Sequence, residues 1–386
     1  MTPGARVAAM IQILDSVLEG IPTEKALTNW GRSNRFAGSK DRAAIRDFVF
    51  QAIRCRRSAG AWPKPLSARA WAIGSLSINK LPLNNFFNNV RYSPEALRDY
   101  EEEQAVASDQ NILDLQDWII DDLISFYGFE TTARLSKSMR NRAPTSLRVN
   151  RLKASLTTVK KSLKNIDIEA ISNPTCDTAL TVKTNLRKVV LSDIYKKGWF
   201  ELQDAASQAV ATLIPAEGNV LDYCAGGGGK ALAVSARTSK SVFAHDINPS
   251  RLAEIEVRAV RGCHDIKIIH NHEIKNFGQF DSVYCDVPCS GSGAWRRSPE
   301  EKWKLTPADL KNFIKLQREI LIKAESLVKG GGYLSMITCS IFESENQIQR
   351  DFIVQNFKDL TLVQESQYLP NENHDGFYIV VFKKSK

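Results

Sequence analysis

Val220-Leu221-Asp222-Tyr223-Cys224-Ala225-Gly226-Gly227-Gly228-Gly229-Lys230 passes from an apolar run through four glycines into a helix-forming pattern. A strand, a sharp turn and a first helical turn have this grammar, and the alternation continues downstream. Strand-like segments recur at Val242-Phe243-Ala244-His245-Asp246, Ile266-Lys267-Ile268-Ile269, Ser282-Val283-Tyr284-Cys285 and Tyr333-Leu334-Ser335-Met336-Ile337. Helical patterns lie near 204–213, 230–237, 249–260 and 307–328, and the chain closes on the apolar Leu360–Val363 and Phe377–Phe382. Alternating strands and helices predict an α/β core with a doubly wound, mostly parallel sheet over 196–386.

Upstream the texture differs. Thr145–Asn150, Ile166-Asp167-Ile168, Ala179–Val182 and Val189-Val190-Leu191 suit a small α/β module over 143–195. Residues 1–137 carry helical spacing instead, with Val7, Met10, Ile11, Leu14, Val17 and Leu18 on one face. Ser39 is expected to cap a second helix whose apolar side is Ile45, Phe48, Val49, Ala52 and Ile53. Its other side sets Lys40, Arg42, Arg46, Arg54, Arg56 and Arg57 against Asp41 and Asp47. Spacing alone leaves this face open between a solvated surface and a phosphate-contacting one.

A chain of 386 residues exceeds one ordinary core, which agrees with several domains. The formal charge of +9 favours polyanionic partners, nucleic acid first among them. No apolar run approaches the roughly 18 residues of a membrane helix, and the N-terminus has no signal-peptide pattern. No membrane association, a cytoplasmic location and a monomeric state are the expectations. Cys263, His264, His270 and His272 raise the question of zinc, but no CxxC pair or other ligand spacing supports it, so no metal is expected.

The glycine loop suits a ligand that approaches the amides of a helix N-terminus. Asp246 ends the second strand at the distance where an acidic side chain holds ribose hydroxyls. A phosphate-loop NTPase is disfavoured, because Ala231 follows Lys230 where a magnesium-binding Ser or Thr is needed. S-adenosylmethionine, a dinucleotide and a purely structural turn all remain open on these residues.

Two further stretches narrow the choice. Asp281-Ser282-Val283-Tyr284-Cys285-Asp286-Val287-Pro288-Cys289-Ser290-Gly291 places a carboxylate and a thiol just past a strand, and Thr338-Cys339-Ser340 places a thiol past the next one. Parallel strands present their carboxyl ends to the ligand crevice, so both thiols and Asp286 should share it. Methylation of carbon 5 of a pyrimidine makes this demand. The carbon becomes nucleophilic only after a thiolate adds to carbon 6, while a carboxyl group supports the ring nitrogen. A base must then remove the carbon-5 proton. Cys285 lies within the strand and reads as core.

With these motifs the chain resembles the RsmB/NOP2/Sun group of RNA cytosine-5 methyltransferases, through Cys224–Lys230, Asp246, Asp286–Gly291 and Thr338–Ser340. Gln203-Asp204, Ser207-Gln208 and Arg148-Val149-Asn150 match as well, so the likeness covers roughly 145–386. The first 137 residues, especially Gly38 to Arg54, resemble the NusB-type helical RNA-binding domain of bacterial members. The resemblance implies a class I methyltransferase core, S-adenosylmethionine as cofactor and RNA as partner, small-subunit ribosomal RNA foremost. It implies Cys339 as nucleophile, Cys289 as the group assisting product release and Asp286 as the cytosine-binding carboxylate. Cys224, Ala225, Gly226, Gly227, Gly228, Gly229, Lys230, Asp246, Asn271 and Asp286 are the implied cofactor-binding residues.

Two departures accompany the likeness. The group usually has a proline where this chain has Gly227 or Gly228, so a looser loop with weaker cofactor binding is expected. An acidic residue beside the adenine is replaced by the His270-Asn271-His272 run. A cation, Lys230 or one of Arg296 and Arg297, is expected to support the Cys339 thiolate. Other readings are a non-catalytic ribosome-assembly factor on the same fold, methylation of a transfer RNA cytosine, and a DNA enzyme that uses the Pro-Cys thiol.

Overall fold

A computed structural model describes residues 1–61, 67–101 and 112–386. They divide into two compact units, Met1–Arg142 with Trp295–Lys304, and Ala143–Ala294 with Leu305–Lys386.

The first unit is helical among its described residues: Pro3–Leu18, Thr23–Ser33, Ser39–Arg54, Ala68–Ile78, Asp117–Tyr127 and Phe129–Arg140. Of the expected face of the first helix, Val7, Met10 and Leu14 are buried, Ile11 and Val17 half-buried and Leu18 exposed. Ile13, outside that face, joins Met10 and Leu14 against Ile45, Val49, Ile53 and Trp71. Thr2 caps that helix by accepting from the Ala5 amide at 3.1 Å. Ser39 does not cap its helix. Gly38 holds the N-cap position and Ser39 is already the first helical residue.

The expected basic face is only partly a surface. Lys40, Arg42 and Arg46 are exposed, but Arg46 pairs with Glu24 and Arg54 is 7% exposed. Arg54 is turned inward by a partner far along the chain, since its Nε donates to the Arg296 carbonyl at 3.0 Å. Residues 295–304 run through this unit as a strap. Lys302 Nζ donates to the Arg54 carbonyl at 2.8 Å and Trp303 Nε1 to the Ile53 carbonyl at 2.7 Å. The last turn of the Ser39–Arg54 helix thereby gains donors for carbonyls that a helix end leaves open.

In the second unit, β1 (Thr145–Val149), β2 (Ala170–Ser172), β3 (Ala179–Val182) and β4 (Phe200–Leu202) form an antiparallel sheet in the order β2-β3-β1-β4. Helix Leu156–Lys164 packs Val159 and Leu163 on Leu147 and Leu180. Ile166-Asp167-Ile168 is a turn rather than a strand, with Asp167 at φ 60°. Val189-Val190-Leu191 ends a short helix. The fourth strand lies beyond residue 195, so the sheet closes with residues expected to open the core.

The large sheet comprises β5 (Val220–Asp222), β6 (Val242–Ala244), β7 (Ile266–Ile268), β8 (Phe280–Asp286), β9 (Val328–Thr338), β10 (Leu360–Tyr368) and β11 (Phe377–Lys384). Its order is β10-β11-β9-β8-β5-β6-β7, with β7, β6, β5, β8 and β9 parallel and β11 antiparallel to both neighbours. The doubly wound, mostly parallel expectation holds. Alternate residues divide between two layers. Leu221, Val283, Cys285, Leu334 and Met336 meet Leu321 and Ile353 on one face, whereas Val220, Val242, Tyr284 and Ile337 meet Val210 and Val234 on the other. Cys285 is core, as read. Among the described residues no helix is long and apolar enough to cross a membrane.

Candidate functional site

A cavity of about 670 Å³ opens at the carboxyl ends of β5, β6, β8 and β9. This is where a parallel sheet whose strand order reverses leaves a crevice, and the volume suits a cofactor-sized ligand.

The turn after β5 forms its floor. Gly226 and Gly228 adopt φ of 52° and 79°, which side chains resist. A Cβ on Gly228 would also stand 2.7 Å from Ile255 Cγ1. The turn is not loose. The Ala225 amide donates to the His245 carbonyl and the Gly228 amide to the Ala225 carbonyl, each at 2.8 Å. The Gly226 amide donates to Asp246 Oδ2 at 2.8 Å, and Arg258 Nη1 donates to the Gly227 carbonyl. Those bonds replace the stiffness that a proline would have supplied. With φ positive at 226 and 228, only position 227 could accept that proline.

Asp246 shares its carboxylate between the Gly226 amide and the Asn248 amide, the latter at 2.9 Å. Two buried atoms near the turn lack partners: Asp222 Oδ1 and His245 Nε2. Tyr284 Oη donates to Asp222 Oδ2 at 2.8 Å, and burial pushes the Asp222 carboxyl up to about 7. His245 Nδ1 donates to the Tyr223 carbonyl at 2.8 Å while its ring stacks on that of Tyr223. This bond leaves Nε2 as a bare acceptor among residues lining the cavity. A glycine turn, a ribose-type carboxylate and two orphaned acceptors fit a polar nucleoside cofactor.

The reacting groups stand on the adjoining strand ends. Lys230 Nζ donates to Asp286 Oδ2 at 2.6 Å and lies 4.9 Å from the Phe377 ring centroid. Cys289 Sγ and Cys339 Sγ are 3.4 Å apart. The bond to Cys339, burial and the nearby charges of Cys339 and Glu345 all hold the Cys289 thiol well above its ordinary range. Of the cations expected to support Cys339, Lys230 is engaged by Asp286, and Arg296 and Arg297 belong to the helical unit.

Cys224, Ala225, Gly226, Gly227, Gly229, Lys230, Asp246, Asp286, Cys289 and Cys339 all line the cavity. Gly228 does not line it and instead packs behind the turn. Asn271 is exposed in the turn after β7 and lies outside the lining, so the structure does not bring it to the site. Sequence reasoning assigned no role to Asp222, Tyr223, His245, Leu316 or Ile320, which also line it. Leu316 and Ile320 come from helix Pro307–Glu325, and their helical spacing reads only as core. Gln203 and Ser207, quoted above without a role, line it too. Arg148 Nε donates to Gln203 Oε1 at 2.6 Å, and Gln203 Nε2 to Ser207 Oγ at 3.2 Å, a chain from β1 to the cavity wall.

The family model for the 16S rRNA methyltransferase RsmB/F matches residues 210–383, and that for an RsmF/B-like ferredoxin-like domain matches 116–188. The ribosomal RNA small subunit methyltransferase B of Vibrio cholerae is 31% identical over 75% of this chain and 71% of its own length. The protein of the same name from Shewanella oneidensis is 26% identical over 97% of each chain. Among solved structures, the crystal structure of PH0851 shares the fold with a TM-score of 0.73 at 20% identity, covering 98% of this chain and 99% of its own.

Proposed function

The chain belongs to the RsmB/F family of 16S rRNA methyltransferases, and from that premise we propose that it methylates carbon 5 of a cytosine in small-subunit ribosomal RNA through a covalent Cys339 adduct. Its cofactor is S-adenosylmethionine, which when bound supplies the electrophilic methyl group. The glycine turn, Asp222, His245 and Asp246 are the residues that would hold it. The observation that carries the reading is the pair of thiols 3.4 Å apart, facing one cavity with Asp286.

The proton between the sulfurs assigns their parts. Besides the bond to Cys339, burial and the neighbouring Glu345 charge hold the Cys289 thiol above its ordinary range, which casts Cys289 as the proton-bearing partner and Cys339 as the attacking sulfur. Cys339 attacks carbon 6 of a cytosine, which must leave its stack to reach the sulfur. Asp286, fixed by Lys230, meets the polar edge of the ring. Once Cys339 is bonded to carbon its charge is gone, and one cause of the raised Cys289 pKa goes with it. After carbon 5 has gained its methyl group, Cys289 passes its proton to the departing Cys339 sulfur 3.4 Å away and takes the carbon-5 proton in its place, as the Cys339–carbon bond breaks. A DNA-type use of Cys289 as nucleophile runs against this electrostatic order.

We assign 1–137 to a NusB-like RNA-binding domain, 143–195 together with β4 to a small α/β module, and the rest of 196–386 apart from Trp295–Lys304 to the methyltransferase core. RNA carrying 5-fluorocytosine tests the chemistry. Peptide mapping of the trapped complex is expected to find the link at Cys339, with none in Cys339→Ala. Cys289→Ala is expected to accumulate an adduct on ordinary RNA. A link at Cys289 would overturn the assignment.

A further inference from the structure

Glu345 is fully buried and forms no part of the cavity wall, yet both thiol-bearing loops converge on its carboxylate. Oε1 accepts from the Ser290 amide at 2.9 Å and from Gln317 Nε2 at 3.0 Å. Oε2 accepts from Ser340 Oγ at 2.6 Å and from Ser290 Oγ. Ser290 directly follows Cys289 and Ser340 directly follows Cys339. Four donors on two oxygens fill the accepting capacity of a carboxylate, and an ionised acceptor makes such bonds about twice as strong as neutral ones.

The surrounding groups complete the clamp. Ser292 Oγ lies 3.0 Å from Ser340 Oγ, and the Gly293 amide donates to the Cys339 carbonyl at 2.9 Å. Gln317 also donates to the Pro288 carbonyl at 3.0 Å, and Gln349 Nε2 holds Gln317 Oε1 at 2.9 Å. Carrying a charge into this interior is costly, and burial does push the Glu345 carboxyl above its ordinary value while its donors oppose the shift. A serine or asparagine would have joined the two loops more cheaply. What only a carboxylate adds is four-fold acceptance with a negative charge on the Cys289 side.

We propose that Glu345 is the positioning residue of the thiol pair, setting the separation of the two sulfurs and keeping their shared proton on Cys289. For its catalytic consequence this rests on the cytosine-5 reading above. Its electrostatic half does not. With Glu345 negative, a second anion at Cys289 is opposed, so the thiolate is confined to Cys339 and each turnover starts from one protonation state.

The test is iodoacetamide labelling of the full chain without RNA across pH 6–9, resolved by peptide mass for Cys289 and Cys339, in wild type and Glu345→Gln. The wild-type protein is expected to label at Cys339 first, and Glu345→Gln to reduce that preference about tenfold, the effect of one pKa unit. Methyl transfer is expected to fall about 100-fold in kcat with the S-adenosylmethionine Kd unchanged, the split expected when a residue supports the reaction step alone. An unchanged labelling preference overturns the proposal. If Glu345→Gln fails to bind S-adenosylmethionine, Ser340→Ala removes a single donor and is expected to shift the preference about threefold in the same direction. No shift there overturns the proposal as well. Altered labelling combined with no 5-fluorocytosine adduct in wild type would sink the cytosine-5 reading and leave the positioning role standing.

Discussion

Lys230 and Asp286, 56 residues apart in sequence, meet as an ion pair at 2.6 Å across the mouth of β5 and β8. The lysine is 6% exposed and the aspartate 36%. Lys230 is thus a buried cation whose charge is answered by the carboxylate that would face the substrate ring.

Removing the lysine should therefore injure the site more than the fold. Lys230→Met is expected to lower kcat/KM for RNA methylation about 100-fold, because Asp286 loses its orientation. The loss in stability should stay near 1–2 kcal/mol, below the cost of breaking an enclosed pair, since water reaches Asp286. Transfer of tritiated methyl groups and urea melts would measure the two effects separately.

The glycine turn separates two neighbouring positions. Gly228→Ala forces a positive-φ residue to carry a Cβ 2.7 Å from Ile255 Cγ1, and it is expected to cost about 2–3 kcal/mol and weaken cofactor binding at least tenfold. At Gly227 the nearest atom to an added Cβ is Glu254 Oε2 at 3.1 Å, the end of a flexible side chain. Gly227→Ala should bind S-adenosylmethionine within about threefold of wild type, since less than 1 kcal/mol is at stake. Calorimetric titration of both variants decides this.

Two buried groups tilt the pH dependence of stability in opposite directions. His264 is driven down to about 4 by burial and by Arg148, Lys153 and Arg258, below the 6.5 of an unfolded histidine. The unfolded chain binds the extra proton between those values, so stability from this group rises with pH from 4 to 6.5. Asp222, up at about 7 against 3.8 unfolded, binds its proton in the folded state, so its contribution falls as pH rises from 3.8 to 7. The two largely offset each other in wild type. Urea midpoints at pH 4.5–7.5 should show Asp222→Asn gaining on wild type as pH rises, and His264→Leu gaining as pH falls, each by roughly 1–3 kcal/mol.

The strap formed by 295–304 makes a structural forecast. Trp303→Ala is expected to cost about 2–3 kcal/mol, less than a fully enclosed tryptophan because its ring is only partly buried. The loss should fall on the helical unit. Amide exchange is expected to quicken at the C-terminal turn of Ser39–Arg54, whose Ile53 carbonyl Trp303 binds, although the substitution lies 250 residues away in sequence.

The sequence by itself determined what is local. Short apolar runs located every strand of the large sheet. Central strands such as β8 and β9 bury side chains on both faces, while the edge strands β7 and β10 keep a few apolar residues although most of their positions are not buried. The glycine turn, Asp246, Asp286 and the two thiols were legible because strand ends in a parallel sheet share one crevice. Ala170–Ser172 was missed because only the first of its three residues is buried, which leaves no pattern to read.

Tertiary structure decided what depends on distant partners. Asn271 could be placed after β7 but not aimed, and it turns to solvent. Arg54 read as a surface cation until the Arg296 carbonyl drew it inward. Glu345 looked like one carboxylate among many, and only the convergence of Ser290, Ser340 and Gln317 shows what it holds. A hydrogen bond or an ion pair requires two groups to meet, and the chain records each group without recording the meeting.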